Sequence, residues 1–446
     1  FVTRTLAGRR DLLAQAASYP ERYAALLASA VTGTPQARFD ILFAVGSESL
    51  TLSADGTTRN EHGETLPGTF LDVLDAAWSA RHRPRVEDGL PFHGGWVVYL
   101  AYELVGQIEP SLRLPVSNGV APVALALRAP AAAIVDHVGQ RTVLVAEEGA
   151  EAWLDILAAD LDAAASEEAL PLPLAVDEDA PLRFLEGVRR VQEHLHAGDV
   201  FQVNLSRRWT ARFADAPAPA SLMRALRTAN PAPFAGLLQR PGWAIVSSSP
   251  ERLVEARDGV LQTRPIAGTR PRVAGDDDAA RVRELVTHPK ERAEHVMLID
   301  LERNDLGRVC VPGSVSVDEF MVVESYAHVH HIVSNVRGRA REGVTPGQVI
   351  AATFPGGTIT GCPKVRCMEI IGTLEQEPRG AYTGALGYLD DSGDMDLNIL
   401  IRTLAVEGVS VSLRAGAGIV TDSIPERELE ETRAKARGLL RVFGPA

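Results

Sequence analysis

The chain is 446 residues long, with 46% hydrophobic and 23% charged residues and a mean hydropathy near zero; this excludes a disordered or fibrous protein and leaves room for about two domains or one large two-part fold. No apolar run approaches the roughly 20 residues that span a bilayer. The net charge of −13 and pI near 5.4 exclude a basic nucleic-acid-binding face, and they require any anionic ligand to be met locally by cationic side chains, a metal ion or backbone N–H groups.

Up to about residue 165 the chain reads mainly as strands. Ala37–Val45 (ARFDILFAV) is a short apolar run, and Glu48–Ser53 alternates before the Asp55-Gly56 turn. Gly94–Leu104 (GGWVVYLAYEL) and Ala124–Val135 are strand-like, Gln140–Ala146 closes a hairpin through Val138-Gly139, and 151–165 is helical. The acidic, proline-containing stretch 166–181 (SEEALPLPLAVDEDAP) is the best linker candidate, dividing an N-terminal region (1–165) from a second domain (182–440). Beyond it, Phe184, Val188, Val191 and Leu195 recur at helical spacing, Gly198-Asp199 ends that helix, and Val200–Arg207 is a strand. No internal repeat is visible. Cys310, Cys362 and Cys367 are too few for a disulfide framework and lack metal-ligand partners, and the first residues carry no signal-peptide pattern, so a cytoplasmic location is expected.

Two carboxylate pairs stand at i, i+3: Glu291 and Glu294 after Pro289, and Glu428 and Glu431 after Pro425. Proline at a helix start and i, i+3 spacing put each pair on one helix face. A single such pair is usually solvated surface; two that meet across a cleft supply hard oxygen ligands for Mg²⁺, with a substrate carboxylate and waters completing the shell. Three glycine-bearing stretches, Pro265–Arg272 (PIAGTRPR), Phe354–Lys364 (FPGGTITGCPK) and Ala415–Val420 (AGAGIV), are tight turns or loops whose N–H groups face an anion, with Thr269 and Thr358 as hydroxyl donors. The second is not a P-loop, because Gly357–Gly361 is too short and Lys364 lacks the required neighbours. Arg402 interrupts the apolar run Leu397–Leu404, where either a bound carboxylate or an internal salt bridge accounts for it. His328 and His330 would share one strand face with His331 opposite, which argues against a three-histidine zinc site.

Seven segments then fall into one order: SSSPERL (247–253), TRPIAGTRPR (263–272), the run 290–309 (KERAEHVMLIDLERNDLGRV), HHIVSNV (330–336), FPGGTITGCPKVRCMEII (354–371), GYLDDSGDMDLNILIRT (387–403) and AGAGIVTDS (415–423). In this they resemble the chorismate-utilising enzymes, anthranilate synthase component I and aminodeoxychorismate synthase component I, over about 184–440. The N-terminal part is similar to their variable region. The resemblance implies an α+β fold of two large packed antiparallel sheets with helices outside. It also implies roles: Glu294 and Glu431 on Mg²⁺ directly and Glu291 and Glu428 through its waters; Gly268, Thr269, Gly416 and Gly418 around the ring carboxylate, with Lys364 a further substrate-binding residue; Tyr382 and Arg402 on the enolpyruvyl carboxylate; Thr358 and His331 against the ring and the leaving C4 oxygen; and Glu251 as the acid–base that helps expel the C4 hydroxyl.

Family members that add water resemble VFQVNLS but carry a lysine where this chain has Gln202, so glutamine implies ammonia as the nucleophile. Two products remain open. Ala267, where well-known aminodeoxychorismate synthases have a lysine that forms a covalent C2 adduct, leans with AGAGIV toward anthranilate synthase. FPGGTITGCPK, with Gly357 and Ile359-Thr360 where anthranilate synthases usually show FPAGT followed by Ser-Gly, leans toward aminodeoxychorismate synthase. So do MDLNILIRT, the segment GGWVVYLAYELVGQIEP, and Ala28 in place of the glutamate of the tryptophan-feedback motif LLES. The expectation is aminodeoxychorismate synthase component I of the p-aminobenzoate and folate branch. Anthranilate synthase component I is the alternative, and a non-catalytic chorismate-binding scaffold the remote one. No segment resembles a glutaminase, so a separate glutamine amidotransferase subunit is the expected source of ammonia.

Overall fold

The computed structural model describes residues 1–30, 38–117, 119–163, 168–271, 283, 289–325 and 329–444. Among them, a 12-stranded and an 11-stranded antiparallel sheet lie face to face. Helices cover both outer faces, giving the expected α+β architecture. The layering follows from the pleat. In strand Phe39–Ala44, Ile41 and Phe43 enter the inter-sheet core while Leu42 and Ala44 pack under the outer helices. In Ala124–Ala129, Leu125 and Leu127 face the other sheet and Ala124 and Ala126 the helices. Both faces of such strands are dry, so they read as continuous apolar runs rather than as alternation.

Several expected elements change on contact with the structure. The single strand expected over Ala124–Val135 is two, Ala124–Ala129 in the second sheet and Ala131–Asp136 in the first, because Pro130 sits where the chain crosses from sheet to sheet. Gly94–Leu104 is strand only over Gly95–Leu100 and then turns into a 3₁₀ helix, Tyr102–Leu104. The hairpin through Val138-Gly139 forms as read, with Asp136 opposite Arg141. The stretch 166–181 carries a strand, Ala175–Glu178, paired with Gln202–Arg212 at the edge of the first sheet. Strands from before and after that stretch share both sheets, so it separates segments of sequence within one interleaved fold.

The strand order also contains a repeat that the residues do not display. In the first sheet Ala25–Ala28, Phe39–Ala44, Ala131–Asp136 and Arg141–Ala146 run outward on one side of the centre; Phe234–Arg240, Trp243–Ser249, Thr403–Glu407 and Ser410–Ile419 run outward in the same succession on the other. The second sheet mirrors itself about the pair Ala385–Asp390 and Gly95–Leu100. Each half passes directly from a strand of one sheet into a strand of the other at two matching places, and the C-terminal half also sends the short strand Gly361–Cys362 back to the first sheet. In the C-terminal half the crossings are Pro250-Glu251, between Trp243–Ser249 and Arg252–Arg257, and 400–402, between Met395–Ile399 and Thr403–Glu407. In the N-terminal half the matching place is closed: Arg128 is buried on Gly95 O, Glu147 (2.6 Å) and Asp391 (2.9 Å).

Candidate active site

The two C-terminal crossings lie side by side and fix one another. Ser248 N–H donates to Arg402 O (3.0 Å), Ile399 N–H to Glu251 O (3.0 Å), and the Ser249 hydroxyl to Ile399 O (2.6 Å). Glu251 is thereby held rigidly where the chain leaves one sheet for the other, with its carboxylate accepting the Thr358 hydroxyl at 2.7 Å. Burial raises the Glu251 carboxyl to about 7, and the Thr358 hydrogen bond and the Lys435 ammonium offset only part of this. A carboxyl with a value near 7 is about half protonated at neutral pH and is suited to general-acid work.

Arg402 is not in the strand its neighbours suggested. It occupies the crossing itself in a left-handed conformation, φ 52°, with Nη1 donating to Lys435 O at 2.8 Å. Its hydrogen-bond partner is thus a main-chain carbonyl of helix Pro425–Leu440, and it feels the charges of Tyr382 and Glu431. Removal of water lowers its pKa, yet a guanidinium stays charged at any working pH. The Tyr382 ring stacks on Arg379 (5.5 Å), and burial pushes its hydroxyl up to about 12.

Two of the three expected glycine turns are strands. Gly416 and Gly418 lie inside Ser410–Ile419, opposite Ser206 and Asn204 of Gln202–Arg212. A Cβ on Gly416 would stand 2.7 Å from both Tyr382 Oη and Asn204 Oδ1, and one on Gly418 would stand 2.3 Å from Gln202 Nε2. These glycines make room for polar side chains to converge on the strand. Gly268 lies in strand Ile266–Pro271 at a bulge between Ala267 and Thr269, with φ 73°. Thr269 pairs with His331 across the ladder, and the His331 ring hydrogen-bonds the Gly268 backbone. Burial, then the Arg402 charge, hold that imidazole near 4, so it is neutral at physiological pH. His330 turns the other way, onto Ser325 Oγ at 2.8 Å, and His328 lies outside the described residues.

Charge coupling and contacts therefore bring Glu251, Thr358, His331, Gly268, Arg402, Tyr382, Gly416, Gly418, Gln202 and Glu431 to one end of the inter-sheet space. Lys364, the further substrate-binding residue that the resemblance implies, has an ion-pair partner within the protein. It starts helix Lys364–Glu375 and sets its ammonium 2.5 Å from Asp305. Glu291 and Glu294 sit half-buried near the start of helix Pro289–Gly307, Glu428 is half-buried and Glu431 exposed. Among the described residues no three His, Cys, Asp or Glu side chains group closely enough to hold a metal ion by themselves. The donor chemistry nevertheless suits a hard cation. Lys435 already puts a positive charge 2.7 Å from Glu431 and 3.0 Å from Gly416 O, as a stand-in between a carboxylate and a carbonyl.

Several residues of the site escaped the sequence reading. Lys435, Asn204 and Glu302 sit in segments whose motifs are marked above and Arg379 lies between two of them, but nothing in their spacing marks them; Lys435 alone, four residues after Glu431, has a helical-face signal. The alanine of FPAGT corresponds to Gly356 and not to Gly357: a Cβ on Gly356 would meet Ile399 Cδ1 at 2.8 Å, whereas one on Gly357 would meet Leu301 Cδ2 at 2.3 Å.

Taken together, a double sheet flanked by helices and a buried carboxyl at a crossing between the sheets, with an arginine and strand glycines near it, suit an enzyme of acid–base chemistry. The chain belongs to the chorismate binding enzyme family, whose model matches residues 29–441. It is similar to aminodeoxychorismate synthase component 1 of Bacillus subtilis, 39% identical over 406 residues (87% of this chain, 86% of that one). It is equally similar to anthranilate synthase component 1 of Thermus thermophilus, 42% identical over 429 residues (91% and 89%). The structure of anthranilate synthase component I from Streptococcus pneumoniae superposes with a TM-score of 0.82 at 32% identity, covering 92% of this chain and 94% of that one. The chain is a chorismate-utilising synthase with relatives on both sides of the aminodeoxychorismate–anthranilate division. Among the described residues no helix is long and apolar enough to cross a membrane.

Proposed function

We propose that the chain is the component that converts chorismate and ammonia to 4-amino-4-deoxychorismate in the cytoplasm, with ammonia delivered by a separate glutamine amidotransferase subunit. The observation that carries the chemistry is Glu251, buried, protonated near neutrality and hydrogen-bonded to Thr358. In this reading Arg402 and Tyr382 hold the enolpyruvyl carboxylate, and the strand glycines 416 and 418 with Gly268 and Thr269 receive the ring carboxylate. Glu251 gives its proton to the C4 hydroxyl as the C4–O bond breaks. Neutral His331 and Thr358 face that leaving oxygen. Gln202, 4% exposed and set against Gly418, lies beside the path of ammonia, which attacks without a base. Glu291, Glu294, Glu428 and Glu431 would hold Mg²⁺, which when bound neutralises the ring carboxylate and draws electrons from the ring. Lys435 would then release Glu431. Chelation with EDTA is expected to abolish chorismate consumption and added Mg²⁺ to restore it; turnover in EDTA would remove the metal from the proposal.

Assignment to C4 amination rests on FPGGTITGCPK, where Gly356 admits the Ile399 side chain, and on Ala28. Ala28 lines a cavity of about 890 Å³ together with Leu27, Pro233, Phe234 and Tyr388. Without the glutamate of the LLES motif to meet an ammonium group there, millimolar tryptophan is expected to leave the rate unchanged. Ala267, buried opposite Ile332, favours the second reading, amination at C2 followed by loss of pyruvate to give anthranilate. Incubating the chain with chorismate, Mg²⁺ and ammonium salt at mildly alkaline pH decides between them. A product that keeps its enolpyruvyl group and yields p-aminobenzoate with added lyase supports the proposal; anthranilate with pyruvate, or inhibition by tryptophan, supports the alternative.

A further inference from the structure

Helix Pro289–Gly307 carries Glu302 and Asp305 at i, i+3 on the face turned into the protein, where they are only 6% and 3% exposed. Lys364 pairs with Asp305 at 2.5 Å, leaving Glu302 beside that pair as an additional carboxyl. Glu302 also lies against the turn that carries Thr358. A Cβ on Gly357 would stand 3.6 Å from Glu302 Oε1, and the next residue, Thr358, donates its hydroxyl to Glu251. The charged and titratable groups facing Glu302 are Asp305 on its own helix, Lys364 on the next helix and Glu251 at the crossing, with the Thr263 side chain approaching from strand Val260–Thr263. Three buried carboxyls and one close ammionium-bearing lysine cannot all be charged in so dry a place, so protons must be retained. Burial, then the charge of Asp305, raise the Glu302 pKa, against the pull of Lys364.

We infer that Glu302 is a proton reserve for Glu251, acting through the Thr358 hydroxyl and never touching the substrate. The inference rests on the reading of Glu251 as the acid that expels the C4 hydroxyl. Once Glu251 has given its proton to the leaving oxygen and water has formed, the Thr358 proton passes along its existing hydrogen bond to the Glu251 carboxylate. The Glu302 O–H bond breaks to restore the Thr358 hydroxyl, and the new Glu302 carboxylate is held beside Lys364. The proton shed by the newly bonded amine nitrogen returns through solvent to Glu302, so chorismate and ammonia become amine and water with no net proton change.

The test compares wild type with Glu302→Gln in single-turnover and steady-state chorismate consumption at saturating ammonium between pH 7 and 9. The first turnover is expected within about twofold of wild type, followed by a steady state slower by roughly tenfold or more, a burst of one equivalent per site. Equal loss in both phases would mark Glu302 as structural, and an unchanged steady state without a burst would also overturn the inference. Infrared spectra of Glu251→Gln with and without Glu302→Gln give a reading independent of turnover, and their amide bands show whether the double variant is folded. At pH 7 the protonated buried carboxyl band of Glu251→Gln is expected to shrink by one carboxyl when Glu302→Gln is added, which separates Glu302 from other buried carboxyls such as Glu103; an unchanged band in the folded double variant would overturn the inference. A wild type that leaves chorismate untouched would instead sink the proposed function, while the infrared band still reports on Glu302.

Discussion

Replacing Glu251 with Gln is expected to lower the rate of chorismate consumption by about 10²–10⁴-fold, the range typical for loss of a positioned acid, while making the protein more stable at alkaline pH. In the proposed mechanism the first effect follows because Gln keeps the shape of the side chain, and can still accept from Thr358, but has no proton to give to the C4 oxygen. The second follows from linkage. The folded-state pKa of Glu251, about 7, lies above its ordinary 4.5. Between those values the folded protein holds a proton that the unfolded chain has released, so stability falls as pH rises from 4.5 to 7 and stays lowered above. The cost is on the order of 3 kcal/mol, and Gln does not incur it. Urea unfolding of wild type and variant at pH 5 and pH 8 checks this: the variant should gain at pH 8 relative to pH 5. Equal stability differences at both pH values would mean that Glu251 is ionised without penalty, and with that the argument for a resident proton fails.

Removing Arg379 is the other change expected to be large. Its guanidinium donates Nε and Nη2 to Glu375 (3.0 and 2.7 Å), Nη2 to Asn204 O (2.7 Å) and Nη1 to Ile359 O (3.2 Å), and it lies between the rings of Tyr102 (5.0 Å) and Tyr382 (5.5 Å). One side chain thus ties helix Lys364–Glu375, strand Gln202–Arg212 and the Thr358 turn to the Tyr382 ring. Arg379→Ala leaves two carbonyls without donors and Glu375 with only Arg414 (3.0 Å) and Ser206. Breaking a buried ion pair from one side typically costs about 3–5 kcal/mol, read as a lower urea midpoint with an unchanged slope. The Michaelis constant for chorismate should rise as well, because Tyr382 loses its support. Arg379→Lys restores charge but not the planar fork, so it should recover only part of either loss. A loss below about 1 kcal/mol in Arg379→Ala would show that Arg414 alone satisfies Glu375.

The contrast between these residues explains what could be read from the chain. Helices Pro289–Gly307 and Pro425–Leu440 begin at the prolines that mark them, whereas Pro181–His196, legible from the spacing of Phe184, Val188, Val191 and Leu195, begins at the last residue of the expected linker. Glu251, Thr358, Gly268, Gly416 and Arg402 were legible because each stands inside a run of unusual residue types that matches a family in order. At Arg402 the apolar run around it is what a buried strand would show, and nothing local announces a crossing between sheets. Glycines usually mark turns, whereas those of Ala415–Val420 lie in a strand and clear space for Gln202, Asn204 and Tyr382 approaching from other elements. The repeat in strand order was invisible because its two halves share topology without sharing residues.

By itself the sequence determined the family, the alternation of strands and helices, and the residue types available for acid–base and carboxylate chemistry, since these are carried by local pattern and motif order. Only the tertiary structure decided that the N-terminal strands complete both sheets, that Lys364 answers Asp305, and that Glu302 lies against Gly357. It also decided that Glu251 is dry enough to keep a proton. The reason is physical: burial and charge coupling depend on distances between groups far apart in the chain, and these exist only once the two sheets have closed on one another.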